Sequence, residues 1–180
     1  MSKVNTSAVV IIPPKEKWNH IQEIRSKYDR NVERWMPHIT LLYPFRAKSS
    51  YFEVEDKFIE ICSQITPFKL SLKSFKYFNH GHQNYTIWLE PEPSESIIAL
   101  QAKILQIVPD CDDVNKYKKG FTPHLSVGQI KGKEKLLKLI HELQSSWVQL
   151  EFTVNDIFFI AREKSKIAKF EIEKQFPLSN

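Results

Sequence analysis

The sequence predicts an α+β fold of two similar lobes, built mainly from antiparallel strands with flanking helices and facing each other across a cleft. Three observations predict it. An internal repeat runs apolar strand, proline pair, helical stretch, polar link, then Pro-His-aliphatic-hydroxyl. Its first copy has a strand at 8–12, Pro13-Pro14, and Pro37-His38-Ile39-Thr40; its second has a strand at 85–89, Pro91-Glu92-Pro93, and Pro123-His124-Leu125-Ser126. Residues 68–89 read as a hairpin, and the chain closes on three strand-like stretches at 147–154, 157–161 and 170–176.

Each element has a local reason. The run at 8–12 is wholly apolar and stopped by prolines, as in a buried strand. From Lys15 onward, Trp18, Ile21, Ile24 and Tyr28 recur at helical spacing, and 29–36 is a polar link. Residues 51–61 read as a second helix, with Phe52, Val54, Phe58, Ile59 and Cys62 partly on one face. Phe68, Leu70 and Leu72 alternate with polar residues, 79–84 is turn-rich, and the chain returns as a strand from Tyr85. Ser94 is the expected N-cap of a helix carrying Ile97, Leu100 and Ile104, stopped by Pro109. A lysine-rich loop at 110–120 leads to the second motif. Residues 133–143 form an amphipathic helix with Leu136, Leu137, Ile140 and Leu143 as its apolar side, and 169–173 alternate cleanly.

A chain of 180 residues with 42% hydrophobic and 26% charged residues fits one compact domain over 1–180, large enough to bury a core without staples. No apolar run approaches the ~20 residues that span a bilayer. Cys62 and Cys111 show no metal-ligand spacing and make no disulfide framework. Free thiols and the lack of a secretory leader pattern lead us to expect a cytoplasmic protein, taken as a monomer. The net charge of +5 is uneven: residues 116–138 hold seven lysines against the single acid Glu134, around His124. Such a field attracts anions.

The two motifs carry the chemistry. In a strand, side chains alternate faces, so His38 and Thr40 share one face opposite Ile39 and Leu41, and His124 and Ser126 share one opposite Leu125 and Val127. Each strand buries one side and presents an imidazole beside a hydroxyl on the other. A pair of His-x-Thr/Ser motifs in matching surroundings resembles the 2H phosphoesterase superfamily, which includes the 2′-5′ RNA ligase-like proteins and the cyclic nucleotide phosphodiesterases. The string from Arg34 through Trp35, Pro37, His38 and Thr40 to Tyr43, Pro44 and Phe45 resembles the 2′-5′ RNA ligase-like branch, and the likeness runs over nearly the whole chain. The resemblance implies hydrolysis of a 2′,3′-cyclic phosphate to a 2′-phosphate. The same site would serve 2′,5′-phosphodiester cleavage or reversible 2′-5′ ligation; a non-catalytic RNA-end binding module is the rival of a different class.

In-line displacement at phosphorus needs a base for the incoming water and an acid for the departing oxygen. Two imidazoles with ordinary pKa near 6.5 can do both, so a bell-shaped pH dependence near neutrality is expected. Thr40 and Ser126 are placed to donate to the non-bridging oxygens. No cofactor or metal is called for. The substrate expected is an RNA end, an oligonucleotide or a cyclic nucleotide. Further candidates for binding it are Tyr43, Arg46, Tyr85, Trp88, Lys119 and Phe121: aromatics stack on bases and cations meet phosphates. Strand alternation would turn Tyr43 away from His38 unless the strand bends at Pro44. His80 and His82 lack a third metal ligand; His20 and His141 read as surface residues on helices.

Overall fold

The computed structural model describes residues 2–116, 120–165 and 167–179. Its strands are β1 (Lys3–Val4), β2 (Ser7–Ile11), β3 (Ile39–Leu42), β4 (Phe45–Arg46), β5 (Phe68–Asn79), β6 (Asn84–Glu92), β7 (Leu125–Lys131), β8 (Leu150–Val154), β9 (Asp156–Ala161) and β10 (Glu171–Pro177). The helices are α1 (Trp18–Tyr28), α2 (Glu55–Cys62), α3 (Ser94–Leu105) and α4 (Lys133–Ser146). None of them, among the described residues, is long and apolar enough to cross a membrane.

Two antiparallel four-stranded sheets carry the molecule, in the orders β10-β9-β2-β3 and β7-β6-β5-β8. The internal repeat is visible in both: the strand that opens each repeat pairs directly with its motif strand, and the motif strand takes the sheet edge. Val10 lies opposite Thr40 in one sheet and Trp88 opposite Ser126 in the other. In each motif strand the register then skips one residue, Leu41 in β3 and Val127 in β7. A bulge of this kind bends the strand and re-aims the residues beside it. The two sequence motifs are thus two copies of one backbone device.

The helices interlock the repeats. α1, from the first repeat, packs across β7 of the second, while α3 of the second reaches β3 of the first. The contact of α1 with β7 is close enough to demand glycine. A Cβ built on Gly128 would lie 2.5 Å from the Cβ of Tyr28 and 3.1 Å from its carbonyl oxygen. Ile21, Leu41, Leu89, Leu125 and Phe159, from both sheets and α1, share one continuous core. A smaller cluster of Ala8, Val10, Ile160 and Phe170 lies on the other face of the first sheet, with Trp35 and Tyr43 packed over it. β2 is therefore buried on both faces, which explains its unbroken apolar run.

Several local expectations are corrected. The second helix opens as a 3₁₀ turn at Lys48–Glu53, and only Glu55–Cys62 is α-helical. Pro93, not Ser94, precedes α3, and no side chain caps it. In α4, Leu139 is buried and Leu137 is 51% exposed: the contact with β5 and β7 selects 136, 139, 140 and 143 rather than 137. The alternation at 169–173 does not sort by burial, since Ile172 is 49% exposed and the register of β10 shifts just after it.

Candidate active site

His38 and His124 each sit one residue ahead of their strands, after Pro37 and Pro123. In both, Nδ1 bonds the carbonyl oxygen two residues back: Met36 at 2.7 Å and Thr122 at 2.8 Å. A carbonyl only accepts, so Nδ1 donates, and the neutral ring keeps its lone pair on Nε2. Proline between acceptor and histidine fixes φ and holds Met36 and Thr122 extended, which sets the geometry of that bond. The two imidazoles thus carry the same tautomer by the same local mechanism, with Nε2 of each unengaged among the described residues.

Aromatic rings hold both. Trp35 stacks face to face on His38, with centroids 4.7 Å apart and planes 18° from parallel, and Phe170 also stacks on Trp35 at 3.7 Å. His124 meets Phe78 edge-on at 4.9 Å and Trp88 at 5.9 Å. Burial lowers the pKa of both histidines. His38 is brought down to about 4, chiefly by desolvation; the bond to the Met36 carbonyl opposes the drop, and Arg25 and His124 add smaller repulsions against the pull of Asp29. His124 is lowered by the same burial, against the bond to Thr122. Both rings are therefore neutral at neutral pH in the ligand-free protein, and the expected pH optimum moves to the acid side.

Two adjoining cavities form the cleft. One, of about 970 Å³, is lined by His38, Trp35, Arg25 and Gln129, and the other, of about 780 Å³, by Thr40, His124, Phe78 and Phe121. Tyr43, His80, Thr86 and Ser126 line both, so the cavities meet between the two motifs. Tyr43 lies just past the end of β3, escapes the strand alternation, and donates its hydroxyl to the carbonyl of Asn5 at 3.1 Å. Tyr85, itself buried, lines the first cavity and Phe121 the second.

Two candidates are displaced. Arg46 is 4% exposed and forms a two-pronged ion pair with Asp110; it lines neither cavity and serves as a structural clamp. Trp88 is 6% exposed and stacked on Phe78, a wall behind His124 and not an open platform for a base. Lys119 falls outside the described residues. Lys116 is engaged by Asp112 at 3.0 Å and Asp113 at 3.3 Å. His80 bonds the hydroxyl of Thr86 at 2.8 Å, and no group of three or more potential metal ligands occurs among the described residues.

The sequence reading missed a network at the end of α1. Arg25, 2% exposed, donates to Asp29 at 2.9 Å, to Gln22 at 2.8 Å and to the carbonyl of Trp35 at 2.9 Å. Asp29 also accepts from Gln129 of β7 at 3.2 Å. This network fixes the segment that carries Trp35 against His38. Its only sequence signal was an Arg-Asp pair four apart on a helix, a spacing common on solvated faces.

Comparison with known proteins agrees with this architecture. The family model for the 2'-5' RNA ligase superfamily matches residues 13–166. A Bacillus pumilus protein named "Putative phosphoesterase" is 29% identical over 144 residues, 74% of this chain and 81% of its own length. A Geobacillus kaustophilus protein of the same description is 25% identical over 82% of each chain. Among solved structures, TT0787 of Thermus thermophilus superposes with a TM-score of 0.66 at 17% identity, covering 96% of this chain and 97% of the other. Escherichia coli LigT complexed with 3'-AMP gives 0.62 at 15% identity, covering 99% and 100%. With the family model matching most of the chain and the same fold in these neighbours, the protein belongs to the 2'-5' RNA ligase superfamily, the 2H phosphoesterases.

Proposed function

We propose that the protein hydrolyses 2′,3′-cyclic phosphates on RNA ends or nucleotides to 2′-phosphates, without a metal, by acid–base catalysis from His38 and His124. The observation that carries this reading is the matched pair of imidazoles, each locked by an Nδ1–H bond to the backbone and each lining one of two adjoining cavities that Ser126 borders on both sides, with Thr40 in the His124 cavity. A water attacks phosphorus in line with the 3′-oxygen. One Nε2 takes the water proton while the other imidazole, protonated, gives a proton to the departing 3′-oxygen, leaving phosphate on the 2′-oxygen. Each transfer is typically worth ~10²–10⁴-fold. Thr40 and Ser126 donate to the non-bridging oxygens as charge builds on them. LigT structures with 3'-AMP, phosphate, NADP+ and ATP support a nucleotide-sized ligand in a cleft of this fold.

The test is turnover of a 2′,3′-cyclic nucleotide in excess EDTA, with the product identified by phosphorus NMR. The reading expects the 2′-phosphate. A 3′-phosphate, or activity that vanishes with chelation and returns with a divalent cation, contradicts it. Tight binding of the cyclic nucleotide with no turnover would favour the RNA-end binding module.

A further inference from the structure

We propose that Arg30 and Lys131 form a second phosphate subsite in the cleft, which binds a phosphate of the substrate other than the reacting one. This rests on the phosphoesterase reading above and narrows its substrate class to molecules carrying two phosphates, of which an RNA end is the one the groove suits best.

The larger cavity extends well beyond the histidine it contains. Its volume of about 970 Å³ lies at the top of the ~300–1,000 Å³ range of small-molecule pockets, and the His124 cavity adjoins it. The space past His38 and Ser126 is walled by the α1–β3 link on one side and the end of β7 on the other. Arg30 and Lys131 occupy those two walls.

The two walls are tied together. Gln129 of β7 accepts from the backbone N–H of Arg30 at 3.1 Å and donates to Asp29 at 3.2 Å. Gln129 and Lys131 are two apart in a strand and share a face, so this bridge holds the backbone of Arg30 beside the strand face that presents Lys131. Both cationic side chains are exposed, and neither has an ion-pair partner among the described residues. Lys116, with its two aspartates, is the contrast.

The local charge favours an anion. The one carboxylate lining this cavity is Asp29, and it is already engaged by Arg25, the N–H of Asn31 and Gln129. Its charge is matched by Arg25, which leaves Arg30 and Lys131 as the unbalanced charges of the groove. A reacting phosphate between the histidines would leave a neighbouring phosphate of the same strand to enter this end. Such contacts position a strand without reading its bases.

The test compares three substrates: a nucleoside 2′,3′-cyclic phosphate with a free 5′-hydroxyl, the same with a 5′-phosphate, and a dinucleotide ending in a cyclic phosphate. The native protein should prefer a substrate with the second phosphate by about 10-fold or more in kcat/KM. In Arg30→Gln/Lys131→Gln that preference should collapse toward one, and the salt dependence should flatten by ~0.7 log–log units for each phosphate the variant no longer neutralises. Preference for the dinucleotide alone assigns the subsite to an internal phosphodiester; preference for both phosphorylated substrates assigns it to any second phosphate. A preference that survives in the double variant, or one absent from the native protein, overturns the proposal. A calorimetric arm needs no turnover: a dinucleotide carrying a 2′-phosphate should bind the native protein more tightly than a nucleoside 2′-monophosphate, and the variant should abolish that difference. If binding follows this pattern while no cyclic substrate turns over, the hydrolytic reading fails and the subsite stands. If the native protein binds both alike, the subsite fails.

Discussion

Trp35 lies flat on His38, and Arg25 holds Trp35 from behind by donating to its carbonyl oxygen at 2.9 Å. Burial is the main reason the imidazole sits near pKa 4, and Trp35 covers one face of the ring. Replacing Trp35 by Leu opens the ring to water and relieves the desolvation. The His38 pKa should then rise from about 4 toward its ordinary 6.5, as read by proton NMR titration of the imidazole. A His38 pKa unmoved in a folded Trp35→Leu protein would mean that Trp35 does not control it.

The same burial sets the pH profile. The free enzyme needs one histidine neutral and one protonated, so kcat/KM should rise through the lower pKa and fall through the higher. Those limbs are the same whichever residue is base, because the product of the two fractions is symmetric in the pair. With His38 at about 4 and His124 also lowered from 6.5, the maximum should lie between these values, on the acid side of neutrality. A profile of kcat/KM against pH checks this; a maximum above neutrality contradicts it.

Folding stability should follow the same shift. His38 has a lowered pKa in the folded state, so the unfolded chain binds the proton more readily. The stability from keeping this ring neutral is present above pH 6.5 and is lost as pH falls from 6.5 toward 4. His38→Gln should flatten that part of the plot of melting temperature against pH.

Motif chemistry and the repeat were legible because they depend on local order: Pro-His-x-Thr/Ser, β-branched runs and helical spacing are written within a dozen residues. What was hidden depends on what the chain meets elsewhere. Arg25 and Asp29 look like a solvated helical pair until α1 packs on β7, a hundred residues on. Trp88 looks like a stacking platform because nothing in the sequence says that β6 is covered on both faces, with Ile87, Trp88 and Leu89 buried in succession. Arg46 could be recognised as a clamp only once Asp110 was seen beside it.

That clamp gives a separation of stability from chemistry. Arg46→Met should leave the buried strand end without its ion pair and lower stability by about 1–3 kcal/mol, while turnover per folded molecule stays near native. Denaturant melts alongside kcat on a cyclic nucleotide check both halves.

Gly128→Ala tests the interlock of the repeats. The added methyl meets Tyr28 at 2.5 Å, and part of that contact is backbone, so the end of α1 must shift. Overpacking of this kind costs about 1–3 kcal/mol, and the shift should also disturb Asp29 and Arg25 at the cleft. The expected result is a lower melting temperature together with reduced kcat/KM.

The central claim is that two equivalent histidines share one reaction, and the most direct measurement is kcat of His38→Ala and His124→Ala on a 2′,3′-cyclic nucleotide, with circular dichroism on the same samples. Each substitution should cost at least ~10²-fold in kcat with the fold retained. A folded variant of either kind with near-native turnover would contradict the two-histidine mechanism.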